Sequence, residues 1–285
     1  MPGMIFPSFI KPFMSRMKNA QILVAFLMFT QTLVAQNPKP SQLPPGDYGA
    51  RGKFGISETS MFDQLLKTIS GVGSSKEILA EQSLKAYMMP PRKMSTANYS
   101  SSYALTSALE YYINLNSNYK DNLSPDFIKL NLPKGAIEDE LAFLAMNGTV
   151  SAAILPYSAT HLPPSVNAAL KYKISNYLKL FQATTRPQQR LYDMRKAIMR
   201  GNPVIVELQV TNEFRNLRQV RIWNASDGDK TPSGTHFLVA VGYNEDSKTV
   251  ELLNSWGREW GNAGYIRMSY DDFGALAVNG YVLLQ

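Results

Sequence analysis

Residues 234 to 243 read G-T-H-F-L-V-A-V-G-Y, and residues 252 to 265 read L-L-N-S-W-G-R-E-W-G-N-A-G-Y. His236 leads an unbroken apolar run bounded by glycine, the pattern of a buried strand that can hold an imidazole rigidly. Asn254 stands eighteen residues on, at the end of the next predicted strand, Thr249 to Leu253, so a strand, turn and return strand bring it back beside His236. An asparagine oxygen there accepts from one ring nitrogen and fixes the tautomer, leaving the other nitrogen to face a cleft. Trp256 is placed to shield that hydrogen bond from water. Taken singly, either residue reads better as a structural His in a sheet or an Asn in a turn.

Outward from this stretch, the chain divides into a helical half and a strand-rich half. Apolar spacing and glycine stops predict helices from Ser102 to about Asn116, from Ile137 to Asn147 before Gly148, and from Pro187 to Arg200 before Gly201. Short segments rich in β-branched and aromatic residues predict strands at Val204–Val210, Phe237–Val241, Thr249–Leu253, Gly264–Met268 and Tyr281–Leu284. Helices followed by strands point to an α+β protein with two segregated lobes.

The histidine strand and the N-S-W-G and W-G-N-A-G-Y turns together resemble the papain-like cysteine peptidase family. That resemblance implies a two-lobed fold, with a helical N-terminal lobe and a strand-rich, barrel-like C-terminal lobe. It also implies a nucleophile at the start of a long helix roughly 130 to 150 residues before the histidine. Counting back reaches Y-S-S-S-Y-A-L-T-S-A-L-E-Y-Y, residues 99 to 112. Against the family's cysteine-tryptophan-alanine helix start, Ser102 falls on the cysteine, Tyr103 on the tryptophan and Ala104 on the alanine. Ser100 and Ser101 are read as turn residues. The resemblance covers roughly residues 82 to 285, and residues 142 to 157 and 197 to 208 carry weaker likenesses to the family's middle helix and following strand.

The departures at Ser102 and Thr96 bear on activity. The family works by pairing a thiolate with an imidazolium, which is reachable because thiol and imidazole pKa values lie close together. The chain has no cysteine, so thiol chemistry is excluded. A serine could attack only if His236 took its proton, and the resulting imidazolium would be oriented by the neutral Asn254; in a serine protease, an amide in place of the orienting carboxylate lowers turnover by about 10⁴. The family's oxyanion donor, a glutamine six residues before the nucleophile, corresponds to Thr96 in this register, and losing such a donor costs roughly 10² to 10³. The expectation is a catalytically impaired cysteine-peptidase homologue, a pseudoenzyme whose cleft binds a peptide or protein segment. The alternative is a slow Ser/His/Asn hydrolase or condensing enzyme using Ser102, His236 and Asn254.

Composition sets the outer bounds. With 285 residues, 45% hydrophobic and 18% charged, the chain can form one substantial core. Met17-Lys18-Asn19, the apolar stretch Ile22–Phe29 and the small-residue exit Val34-Ala35 read as a signal peptide over residues 17 to 35. Residues 1 to 16 form an upstream segment of uncertain role. Residues 36 to 77, rich in Pro and Gly at their start, read as an extended leader, and residues 78 to 285 as the peptidase-like domain. A secreted, periplasmic or cell-envelope location follows, with no stable membrane span, since a span needs roughly 20 apolar residues. Setting aside Lys11, Arg16 and Lys18 takes the 29 basic residues to 26, against 22 acidic ones, and no basic run with interleaved aromatics suggests nucleic acid. With only His161 and His236, and neither in a ligand-spaced cluster, no metal or cofactor is expected.

Overall fold

The computed structural model describes residues 54–74, 79–94, 99–115, 117, 119–225 and 231–285. The signal-peptide reading, the segment upstream of it and Thr96 fall outside these residues.

An eight-stranded sheet organises the molecule. Its strands are β1 (Glu81–Ser83), β2 (Asn176–Phe181), β3 (Val204–Thr211), β4 (Ile222–Trp223), β5 (Pro232–Asn244), β6 (Thr249–Leu253), β7 (Tyr265–Ser269) and β8 (Ala277–Leu284). They run in the order β2-β8-β3-β5-β6-β7-β4, with β1 added to β5. All pairings are antiparallel except the short parallel contact of β4 with β7. β5 is the hub, and Leu238 to Tyr243 are buried without interruption. That explains the continuous apolar reading of this strand: side chains on both faces are covered, so alternation has no solvent face to mark.

The helix Ser100–Leu115 packs on β5 and β3, and also meets the helices Pro125–Asn131 and Ile137–Met146. Leu105, Ala108, Leu109 and Tyr111 are wholly buried along it. A helix buried nearly all round is one lodged between layers rather than lying on a surface. The expected α+β arrangement is present, with helices concentrated before residue 150 and most of the sheet after residue 200.

Segment 91–94 ties the halves together. Arg92 donates from Nη2 to Glu110 Oε2 at 2.7 Å and to Ser107, and from Nη1 to Leu123 O and Tyr157 Oη, both at 3.0 Å. Its own carbonyl accepts from Gly257 N at 2.9 Å, and Met94 N donates to Ser255 O at 2.8 Å. One short segment therefore anchors its side chain under the central helix and its backbone along the Trp256 turn.

The leader reading needs correction over residues 54–74. Ile56 bridges Leu178 in parallel, Thr59–Leu65 is helical, and Phe62 and Leu66 are buried at 5% and 3% exposure. Arg200 holds this segment, donating to Asp63 Oδ1 at 2.7 Å and Leu66 O at 2.9 Å. The physical reason is that F-D-Q-L-L places apolar residues one helical turn apart, which suffices to dock a two-turn helix on an existing surface. Among the described residues no helix is long and apolar enough to cross a membrane.

Candidate active site

His236 stands in β5 opposite Leu208 of β3, near the strand's exposed end, where burial begins. Its Nε2 lies 2.8 Å from Asn254 Oδ1. Asn254 Oδ1 also accepts from Ser255 N at 2.7 Å, and a backbone N–H can bond only to the amide oxygen, so the orientation of the amide is fixed. Nε2 consequently carries the proton and Nδ1 is the free acceptor. Asn254 Nδ2 is buried with no hydrogen-bond partner among the described residues.

Trp256 lies against the imidazole, ring centroids 4.2 Å apart and planes at 35°. Phe214 and Trp260 support Trp256 edge-on at 5.7 and 5.5 Å, and the Arg215 guanidinium sits 5.9 Å from its ring. This aromatic wall buries His236 to 3% exposure. Burial pushes the His236 pKa down to about 4 from its ordinary 6.5; the Asn254 hydrogen bond works in the opposite direction, and the nearby Arg215 charge adds to the lowering. The imidazole at rest is neutral, a proton acceptor through Nδ1.

The three consecutive serines at the head of the central helix go three ways, as the helical step of about 100° per residue requires. Ser100 Oγ lies 3.4 Å from Phe237 N, the residue after His236, and accepts from it at the long end of hydrogen-bond range. Ser101 Oγ donates to Glu140 Oε1 at 2.8 Å, toward the helix Ile137–Met146, where Lys129 pairs with the same carboxylate. Ser102 is wholly buried and Oγ donates back to Tyr99 O at 3.0 Å. The structure thus brings His236, Asn254 and Trp256 together as the sequence predicts. It turns Ser102 into its own helix, and the serine it sets against the histidine strand is Ser100. Tyr103, also wholly buried, lies against Tyr157 at 6.3 Å.

Shifting the register by two residues changes the other expected positions as well. Six residues before Ser100 stands Met94, held by its backbone to Ser255 and only 9% exposed. A thioether has no proton to donate to an oxyanion. Among the described residues no group of three or more His, Cys, Asp or Glu side chains could hold a metal ion.

A buried His–Asn pair under a tryptophan on an antiparallel sheet, facing the head of a buried helix, defines a papain-like peptidase architecture. The sequence profile described as papain family cysteine protease matches residues 133–283, more than half of the chain, and the chain belongs to that family. The match covers His236 and Asn254 and starts after the serine-bearing helix. Curated relatives include ananain of Ananas comosus, 28% identical over 141 residues, covering 48% of this chain and 38% of that protein. An uncharacterized peptidase C1-like protein of Acanthamoeba polyphaga mimivirus is 29% identical over 113 residues, 38% of this chain and 36% of that one. The chain therefore matches a little over a third of the length of these relatives. Among solved structures, xylellain, a cysteine protease from Xylella fastidiosa, superposes with a TM-score of 0.60 at 19% identity, covering 81% of this chain and 95% of that one. Digestive procathepsin L 3 of Tenebrio molitor gives 0.61 at 18% identity, over 84% and 78%. At these identities the structures show the shared α+β fold.

Proposed function

We propose that this is an exported papain-family protein that has lost peptidase catalysis and uses its cleft to hold a peptide or protein segment. The observation that carries this reading is chemical: a family built on a thiolate is represented here by a chain without a cysteine. In its place at the helix head stands Ser100, whose alcohol pKa lies far from that of imidazole, so no resting ion pair forms. His236, buried neutral, accepts a proton only at the cost of burying an imidazolium. Met94 supplies no oxyanion donor. Each deficit alone makes a slow enzyme, and together they leave the papain-like scaffold without its chemistry.

Support for a peptide ligand comes from the fold. Bromelain of Ananas comosus, whose structure superposes with a TM-score of 0.58, was solved in complex with an inhibitor. Export rests on the charged start, apolar stretch and small-residue exit before Gln36. The deciding experiment incubates the full-length secreted protein with fluorogenic peptides and a fluorophosphonate probe. We expect no turnover and no labelling of any serine. Turnover abolished by Ser100→Ala would replace this reading with a serine hydrolase.

A further inference from the structure

The cations that look scattered in sequence converge in space. Two adjoining open hollows, about 380 and 530 Å³, share Arg221 and Asn262 and lie along β7, β4 and the turns before them. Lys85, Arg218, Arg221, Arg258 and Arg267 line them, against two carboxylates, Glu251 and Glu259. Glu251 is already divided between Lys85 at 3.0 Å and Arg267 at 3.8 Å. Glu259 meets Arg218 at 3.7 Å with both side chains mostly exposed, a loose pair of little energetic weight. Arg221 and Arg258 are exposed and have no acidic partner among the described residues.

The walls are built rather than accidental. Arg218 bridges Gly261 in parallel, Gly261 N donates to Leu217 O at 3.0 Å, and Arg267 N donates to Arg221 O at 3.0 Å. Gln219, Gly261 and Ala263 all take positive φ, near +56°, +58° and +55°, so the turns carrying these arginines are tightly specified. Strain at two non-glycine positions within one loop pair is a reason to ask what those turns present. Amid the cations stands Ile222, a large apolar side chain 49% exposed, on β4, the outermost strand in the sheet order.

We propose that this basic surface binds an acidic, extended polypeptide segment that carries an apolar residue. Charge complementarity identifies the acidic partner. Ile222 selects among acidic polymers: a polypeptide can offer a side chain to it, whereas a polyanionic saccharide presents no comparable apolar group. Neither hollow is lined by His236, Asn254 or Ser100.

The test is fluorescence anisotropy with the full-length protein and a labelled glutamate-rich peptide containing a central leucine. We expect saturable binding that weakens steeply with salt. Arg221→Glu/Arg258→Glu should weaken it at least tenfold, Ile222→Ser should lower affinity for the leucine peptide but not for polyglutamate, and Lys134→Glu, in the helical half, should leave it unchanged. Circular dichroism melts of the variants should match the parent, since all four side chains are exposed. No binding at low salt would overturn the proposal, as would equal weakening by Lys134→Glu, which would mean diffuse charge. Tighter binding of heparin or single-stranded DNA through the same arginines, insensitive to Ile222→Ser, would assign the surface to another polyanion. Failure here leaves the cleft proposal standing, because that one is read by labelling and turnover at Ser100.

Discussion

Asn254 holds His236 by a 2.8 Å hydrogen bond, while its own oxygen is held by Ser255 N at 2.7 Å, so the imidazole's free nitrogen is fixed as Nδ1. This relay orients a base that burial keeps neutral. Its pKa of about 4 lies below the ordinary 6.5, so the unfolded chain binds the proton more readily than the folded one between those values. Stability from this group is therefore complete above about pH 6.5 and declines as pH falls toward 4, by roughly 3 kcal/mol at most for a shift of this size. Urea titrations from pH 7 to pH 4 should show that loss, and His236→Gln, which stays uncharged, should flatten the slope. An unchanged slope would mean that His236 is hydrated and titrates normally.

Trp256 and Trp260 should respond differently to truncation. Trp260 is 2% exposed, donates from Nε1 to Phe214 O at 2.9 Å and stacks edge-on with Phe214 at 5.0 Å. Its replacement by alanine should cost the full range for a buried aromatic, about 3 to 5 kcal/mol. Trp256 is half-buried, so Trp256→Ala should cost about 3 kcal/mol or less, while opening His236 to water and moving its pKa up toward 6.5. Denaturant midpoints and the pH dependence of the His236 proton resonances check the pair.

The Arg92–Glu110 pair joins segment 91–94 to the central helix with side chains 9% and 0% exposed. Burial already raises Glu110 to about 7 beside its cation, so without Arg92 the carboxyl stays buried only by holding a proton, and Arg92→Met should cost about 3 kcal/mol. Arg92→Met/Glu110→Leu should recover much of that loss, because the apolar pair needs no compensation. A double variant no better than the single one would place the weight on the Leu123 and Tyr157 contacts of Arg92 instead.

How much is legible in the sequence follows from how local each signal is. Thr249–Leu253 matches its observed strand because four of its five residues are apolar or β-branched and polar turns bound it, with Glu251 the one exception. Asn176–Phe181 is hidden because Lys179 interrupts it and its burial follows neither alternation nor an unbroken run. The helix Tyr270–Leu276 contains Gly274, yet its start carries a readable cap: Ser269 Oγ accepts from Asp272 N at 3.0 Å. The short helix Pro125–Asn131 likewise opens with proline in its first turn after Ser124, a start signal with too few residues behind it to show a helical period. The basic surface is invisible for a different reason, since its cations come from residue 85, residues 218 to 221 and residues 258 to 267. Three adjacent serines offer no periodic pattern to separate them, so only packing against β5, the helix Ile137–Met146 and the helix's own backbone distinguishes Ser100 from Ser101 and Ser102.

That distinction supplies the sharpest test. A cysteine at position 100 would stand beside the histidine strand, where Nδ1 of His236 is an available acceptor, whereas one at position 102 would stay buried in its helix. We expect Ser100→Cys to give a thiol with a pKa below the ordinary 8.5 that alkylates faster than a free cysteine, because a thiolate beside the imidazole offsets the burial that holds His236 neutral. Ser102→Cys should alkylate slowly at every pH, its sulfur enclosed and aimed at Tyr99 O. Efficient peptide cleavage should require more than the thiol: Ser100→Cys/Met94→Gln adds a donor six residues upstream and should raise turnover by roughly 10² over Ser100→Cys alone. Iodoacetamide rates measured from pH 5 to pH 9, with fluorogenic peptide turnover on the same three variants, decide the matter. Fast, pH-shifted alkylation at position 102 with an ordinary thiol at position 100 would return the nucleophile position to Ser102.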